Sequence, residues 1–391
     1  MTRIIKTASL FFLLTLLWAV APGSAASGQT ATAEAQSSRS RKETSVRVDN
    51  DNWNWVHRDD AVNLEVNIRG KVEFTDDYSD IKGVSDDGRI RVIDERGGTS
   101  RKFEAVAAPD GLKRSYWVNG ESRPFDNEAR RWLAKVLIDT VRQGGYDARP
   151  RVQRILREQG PNGVLQEISQ LKGDYVKRIY FDELIKSGSL DDGMVRQVLR
   201  QAASEIKSDY EKAQLLIKIS ENYLHNDSQR AIYLEGVNTI NSDYEKGRAL
   251  SALLKKGELS RGNLSFLLKS VAAISSDYES AQLLIKIAEG FSFDDSSRAA
   301  YMDAVATINS DYEKGRVLSA FLKKADNRKE ALIFTLKGAS TISSDYEKAQ
   351  LLIKVAAASS GDETVRAALI DTAKTIKSDY ERGRVLNAVF K

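Results

Sequence analysis

The spacing of hydrophobic residues changes period along the chain. From Val62 to Ile68 the alternation is strict, with Val62, Leu64, Val66 and Ile68 on one side and Asn63, Glu65 and Asn67 on the other. That is the period of a strand with one buried face. Val72 and Phe74 continue it after Gly70, Ile90 and Val92 after Asp86-Asp87-Gly88, and Phe103 and Ala105 after Gly97-Gly98. Asn119-Gly120, behind Tyr116-Trp117-Val118, is a hairpin signal because both residues accept positive φ. Residues 46–123 are predicted to form a small, mostly antiparallel sheet of five or six strands. After Pro124 the period becomes helical: Ala129, Trp132, Leu133, Val136, Leu137, Thr140 and Val141 make one apolar stripe, with Asp126 as N-cap and Gly144-Gly145 as stop. Residues 124–172 read as linking helices.

From residue 173 onward the chain repeats itself. Ser-Asp-Tyr recurs with its aspartate at Asp209, Asp243, Asp277, Asp311, Asp345 and Asp379, always 34 residues apart, and Gly173-Asp174-Tyr175 is a degenerate copy upstream. A fixed period of this length marks stacked helical hairpins, none of which buries its own faces alone. Each copy reads Ser-Asp-Tyr-Glu, the spacing of a capping box. The predicted pairs are Ser208 with Glu211, Ser242 with Glu245, Ser276 with Glu279, Ser310 with Glu313, Ser344 with Glu347 and Ser378 with Glu381. The serine accepts from the glutamate's N–H and the glutamate side chain reaches back to the serine N–H, at about 1 kcal/mol per cap. Alternate copies carry Ala213, Ala281 and Ala349, or Gly247, Gly315 and Gly383 followed by arginine, so the true unit is 68 residues. Glycine within a helix costs about 1 kcal/mol against alanine, and its regular return predicts close helix approach in every second layer. Second helices end at Ile240, Ile274, Ile308, Ile342 and Ile376. The expected fold is thus a small antiparallel β domain followed by an all-α solenoid of 34-residue hairpins, HEAT-like or tetratricopeptide-like, over residues 173–391.

The N-terminus carries an address. Arg3 and Lys6 precede the apolar run Ala8 to Ala21, and Ser24 and Ala26 supply small residues, the order of a secretory signal peptide. Cleavage is expected after Ala26, with Ala25 as the alternative. An uncleaved anchor is the competing reading, although 14 apolar residues fall short of a spanning helix. Residues 27–45, rich in Ser, Thr, Ala and Gln, read as a flexible tether. The expectation is an exported protein, periplasmic or extracellular, without a membrane span once the signal is removed.

Composition narrows the chemistry. The 391 residues carry 59 Lys+Arg against 55 Asp+Glu, a net charge of +4, which gives no basis for a nucleic-acid partner. With no cysteine, disulfides, thiolate metal sites and a cysteine nucleophile are excluded, and two histidines leave little for a catalytic zinc. Asp49-Asn50-Asp51 and Asp76-Asp77 lack the glycine and distal glutamate of a calcium loop. No metalloprotease, hydrolase-elbow or phosphate-loop motif is present. A carboxylate-based glycan hydrolase, which needs neither His nor Cys, is the remote enzymatic reading. No cofactor or metal is expected.

Several residues are candidates for partner contact. Trp53 and Trp55 share one strand face and offer an aromatic platform for a glycan or peptide, or else cover the sheet. Residues that differ between repeats are the other candidates: Tyr223, His225, Tyr233, Arg261, Phe291 and Phe293. The row Tyr210, Tyr244, Tyr278, Tyr312, Tyr346 and Tyr380 either forms an aromatic ladder or, as the position in the first turn favours, packs against the neighbouring hairpin. Loops alternate between acidic (Asn226-Asp227, Asp294-Asp295, Asp362-Glu363) and basic (Lys255-Lys256, Lys323-Lys324), either as internal charge balance or as a striped edge for a partner. Arg130, Arg131, Lys135 and Arg142, with Arg149, Arg151, Arg154 and Arg157, form a solvated helix face or a patch for anionic headgroups.

Phe74-Thr75-Asp76-Asp77-Tyr78-Ser79-Asp80-Ile81-Lys82, Leu112 to Gly120, Arg123-Pro124-Phe125-Asp126, Asp174-Tyr175-Val176-Lys177-Arg178 and the later Ser-Asp-Tyr-Glu repeats form a series. Together they resemble the extracytoplasmic region behind some bacterial membrane zinc metallopeptidases of the beta-lactam-sensor, or antirepressor, type. The resemblance spans about residues 60–391, but the peptidase motif and membrane bundle are missing, so protease activity is not carried over. It implies an envelope-facing module tied to sensing or regulation. The resulting expectation is a non-catalytic scaffold for protein partners in the bacterial envelope. The alternative is a sensor of a cell-wall glycan or small molecule through the β domain.

Overall fold

The structure, a computed structural model, describes residues 43–390 apart from 50, 189, 258, 325–328 and 360. The signal segment, and the tether up to residue 42, lie outside the described residues. Nine strands come first: β1 (Glu43–Asp49), β2 (Asn52–Arg58), β3 (Val62–Arg69), β4 (Val72–Phe74), β5 (Ile81–Val84), β6 (Arg89–Arg96), β7 (Thr99–Ala108), β8 (Gly111–Val118) and β9 (Glu121–Arg123). All but β4 and β5 form one antiparallel sheet of seven strands in the order β1-β2-β3-β6-β7-β8-β9. β4 and β5 make a separate ribbon.

The sheet is wider than the five or six strands expected. Two edges escaped the hydrophobic pattern. β1 begins inside the stretch read as tether and pairs along its whole length with β2. β9 is a three-residue polar return strand behind the Asn119-Gly120 turn, where Asn119 takes φ 50° and Gly120 φ 84°.

One face of the sheet is buried. Trp55, Val66, Val92, Phe103 and Tyr116 line up across neighbouring strands through the register. They pack with Leu133, Val136, Leu137 and Val141 of α1 (Asn127–Gly144). α1 starts at the expected cap, Asp126, which accepts from the N–H groups of Glu128 and Ala129. Tyr146 pins the β4–β5 ribbon by exchanging hydrogen bonds between its hydroxyl and both backbone groups of Val72. Burial pushes that phenol up to about 12.

α2 (Ala148–Gln170) bends at Gly160-Pro161 and leads into the repeats. First helices are α3 (Asp174–Lys186), α5 (Asp209–Tyr223), α7 (Asp243–Leu254), α9 (Asp277–Gly290), α11 (Asp311–Lys324), α13 (Asp345–Ala358) and α15 (Asp379–Val389). Second helices are α4 (Asp192–Glu205), α6 (Asp227–Asn238), α8 (Arg261–Ala272), α10 (Asp295–Ala306), α12 (Lys329–Ala339) and α14 (Glu363–Ala373). First helices pack successively on first helices and second on second, so the hairpins form two layers of a solenoid. One apolar cluster runs between the layers from Ala148 to Val385 and includes the buried isoleucines that end each second helix.

The capping motif works differently from the expectation. Each serine does cap, with its Oγ 3.3–3.4 Å from the glutamate N–H nitrogen three residues on. The glutamate does not return the bond. Instead the serine N–H donates to the aspartate of the preceding repeat: Ser208 to Asp174, Ser242 to Asp209, Ser276 to Asp243, Ser310 to Asp277, Ser344 to Asp311 and Ser378 to Asp345, at 2.6–2.9 Å. The residue before each serine donates to the same carboxylate. A carboxylate holding two N–H groups is a stronger acceptor arrangement than one long side chain curling back on its own turn. Thus the motif staples neighbouring hairpins as well as starting helices. Full capping boxes occur elsewhere, at Asn226/Gln229 and Asp294/Ser297, where second helices begin.

The released glutamates take other partners. Glu245, Glu313 and Glu381 pair with Arg248, Arg316 and Arg384 one turn on, at 2.7–2.8 Å. Glu211 pairs with Arg178 of the preceding repeat. Glu279 and Glu347 lie over the glycines of the repeats before them: a Cβ on Gly247 would fall 2.9 Å from Glu279 Oε2, and one on Gly315 3.5 Å from Glu347 Oε2. At Gly247 the missing side chain thus makes room for a carboxylate. The closer approach expected in every second layer is also present: α5 with α7, α9 with α11 and α13 with α15 pack more closely than α7 with α9 or α11 with α13.

Candidate functional site

Most of the eight candidate contact residues are parts of the core. Trp55 is fully buried and Trp53 packs beside it. Both indoles lie against Gly144 at the end of α1, where a Cβ would come within 2.8 Å of Trp53 and 3.0 Å of Trp55. The platform is thus a helix–sheet joint. Tyr233 is buried and donates to the Ala249 carbonyl at 2.9 Å, and Tyr223 donates to Ile185 at 2.9 Å. Burial raises both phenols. Phe291 is buried, and Phe293 stacks edge-on against Tyr301 and Phe321. These residues differ between repeats because neighbouring layers are filled by different shapes.

His225 and Arg261 do reach the surface, at the loop edge. His225 Nε2 lies 2.8 Å from the Asn222 carbonyl. Arg261 pairs with Asp294 at 3.0 Å, and Lys329 with Asp362 at 3.4 Å, each joining one layer to the next. Asn226, Asp294 and Asp362 are N-caps of second helices. The acidic loop residues thus serve caps and interlayer pairs, and of the basic loops Lys256 donates to the Glu221 carbonyl. Five of the eight basic residues of α1 and α2 are similarly engaged: Arg142 and Arg151 share Glu167, Arg130 pairs with Asp80, Arg149 with Glu183 and Arg154 with Asp76.

The tyrosine row reverses the packing expectation. Tyr210, Tyr244, Tyr278, Tyr312, Tyr346 and Tyr380 are 52–74% exposed, and Tyr175 continues the row at 40%. The reason is visible within each helix. In α5 the buried residues Ala213, Leu216, Ile219 and Tyr223 define one stripe, and at 100° per residue Tyr210 falls about 125° from its centre, beyond the edge that faces the core. The same step places Arg248 and Arg316, four residues on, beside Tyr244 and Tyr312, each guanidinium 5.9 Å from the ring centre. Alternate repeats put Gln214, Gln282 and Gln350 there instead. A further turn along, Lys286 Nζ bonds Ser251 Oγ and Lys354 Nζ bonds Ser319 Oγ, both at 2.9 Å, tying the outer faces of adjacent first helices together.

Between α7 and α9 this surface opens into a cleft of about 530 Å³ whose walls include Tyr244, Arg248, Tyr278, Glu279, Gln282 and Lys286. Its walls present phenols with an apolar body and polar tip, a guanidinium, a carboxamide and an ammonium, repeated at the solenoid's own period. Arg248 and Gln282 were not among the sequence candidates, although their i, i+4 relation to exposed tyrosines was available to find them. Among the described residues no group of three or more His, Asp or Glu is arranged to hold a metal ion, and no helix is long and apolar enough to cross a membrane. No family model, curated protein or solved structure matches this chain.

Proposed function

We propose that the chain is an exported, non-catalytic scaffold of the bacterial envelope that holds a protein partner along the outer face of its first-helix layer. The observation that carries this reading is the tyrosine row. In Ser-Asp-Tyr-Glu, serine caps, aspartate staples the next hairpin and glutamate pairs or fills the glycine gap, whereas the tyrosine recurs in every copy while exposed to solvent. Tyrosine and arginine are the residues most often found at the energetic centre of protein interfaces. An extended array of them suits a long partner surface or an extended segment better than a small molecule. The resemblance to regions behind sensor metallopeptidases supports a regulatory setting, with this chain acting as the binding module and not as the protease. The signal-like N-terminus supports the exported location.

The test is site-specific photocrosslinking in living cells. A crosslinking residue at Tyr244, Tyr278 or Tyr312 is compared with one at Glu235 or Asp371 on the second-helix layer. The reading expects one discrete adduct from the ladder positions, and loss of the Tyr278 adduct when Tyr244 and Tyr312 are both changed to serine. Equal adducts from both layers, or a Tyr278 adduct indifferent to that double change, would overturn it. Fractionation of the same cells checks the location: protein confined to the cytoplasm contradicts export.

A further inference from the structure

The seven-stranded sheet is covered by α1 on one face only. On the other face the register sets Arg69 directly opposite Arg89, and Arg91 follows on the same side two residues along β6. Adjacent cross-strand rows read Asn52–Arg69–Arg89–Val106–Lys113 and Arg47–Asn54–Asn67–Arg91–Glu104. Like charges directly opposed destabilise a sheet. Here the repulsion is not relieved internally. Glu104 faces Arg91 across the strands, and Glu65 lies on the same surface, yet no ion pair or hydrogen bond forms to Arg69, Arg89 or Arg91 among the described residues. Nε of Arg89, Nε of Arg91 and Oδ1 of Asn54 are shielded from solvent without a hydrogen-bond partner. Arg89 and Arg91, with Glu65, Asn67 and Ile93, line a shallow cavity of about 360 Å³.

From this arrangement we infer that the uncovered sheet face binds an anionic polysaccharide, one bearing carboxylates along its length. The opposed guanidiniums supply forked donors that match a carboxylate in geometry and charge. The carboxamides of Asn52, Asn54 and Asn67, interleaved with them, offer both donors and acceptors to sugar hydroxyls. The large aromatic on this face, Trp117, is partly buried with the Lys102 ammonium 4.6 Å from its ring centre, so it does not stand out as a membrane anchor would. The chain's overall charge of +4 also supplies little long-range attraction for a nucleic acid, so binding rests on the local patch. The inference is independent of the tyrosine row: it concerns a different domain and ligand, and either stands if the other fails. It also moves ligand recognition in the β domain from the buried Trp53/Trp55 face to the opposite one.

The experiment measures binding of the full chain to immobilised alginate, a polyuronate, with neutral dextran, duplex DNA and phosphatidylglycerol vesicles as comparison probes. Three variants are used: Arg89→Gln/Arg91→Gln, Asn67→Asp, which sets a carboxylate directly opposite Arg91, and a control pair on the solenoid, Lys269→Gln/Lys374→Gln. The expected result is alginate binding that weakens as salt rises, falls at least tenfold in both sheet variants and is unchanged in the control. Thermal melting guards against misfolding, and both sheet variants should melt at or above the wild-type temperature because each relieves the arginine repulsion. Alginate binding unaffected by the sheet changes, or absent altogether, overturns the proposal. So does tighter, sheet-dependent binding of DNA or vesicles, which would assign the face to another class of partner.

Discussion

Three glycines at equivalent positions in the solenoid make one comparison that separates local helix chemistry from packing between repeats. Gly247, Gly315 and Gly383 each occupy the fifth residue of a first helix, and each costs its helix about 1 kcal/mol relative to alanine. Their surroundings differ. A methyl group on Gly383 meets nothing within 4 Å, one on Gly315 makes an ordinary 3.5 Å contact with Glu347 Oε2, and one on Gly247 comes within 2.9 Å of Glu279 Oε2. Gly383→Ala should therefore stabilise by about 1 kcal/mol, and Gly315→Ala by about the same. In Gly247→Ala the Glu279 carboxylate, the far end of a flexible side chain, must swing aside. That displacement offsets part of the helix gain, so the net stabilisation falls below that at Gly383. Native-state hydrogen exchange read separately in α7, α11 and α15 is the suitable assay, because a repeat array opens in parts and one melting temperature would average them. A Gly247→Ala gain equal to or larger than that at Gly383 would refute the argument that this glycine clears space for the next repeat's carboxylate.

Trp55→Ala should destabilise the β domain by about 3–5 kcal/mol, as expected for a fully buried aromatic; urea unfolding that changes by less than 1 kcal/mol would place that indole at the surface after all. Tyr233→Phe and Tyr301→Phe each remove a buried hydroxyl bonded to a helix carbonyl, Ala249 or Leu284, and should each cost about 1 kcal/mol by urea unfolding. A gain in stability from either would show the bond to be worthless. Acid should loosen the stack: the N–H groups of Ser378 and Lys377 hold the Asp345 carboxyl below its ordinary range, and Asp294 and Asp362 are lowered by the N–H groups they cap. Groups with depressed folded values stabilise fully above the unfolded carboxylate range, about pH 4, and lose that contribution as pH falls through the lowered values. Melting temperature should be flat from pH 7 to 5 and decline below about pH 4, and a rise toward pH 3 would contradict the staple.

The period of 34 residues, the serine caps, the buried isoleucines and the strand alternation were all legible in the sequence, because each depends on residues close together in the chain. What could not be read locally was the choice between competing partners. Asp243 and Glu245 both stand near the amino end of α7, and an isolated helix favours the glutamate as the acid that reaches back. In the stack, the Ser242 N–H meets Asp209, 33 residues away, and the preceding repeat's acid wins. That outcome changes what the repetition means. A residue recurring in every copy normally reads as structural, and for Ser242, Asp243 and Glu245 the contacts supply the structural reason. Tyr244 recurs as faithfully, on the side of the helix away from the core, and its nearest engagement is the guanidinium of Arg248, itself on the surface. Loop-edge variability had pointed to Tyr233 and Phe291, and those are core. The residue whose periodicity packing leaves unexplained is the one on which the proposed partner would register.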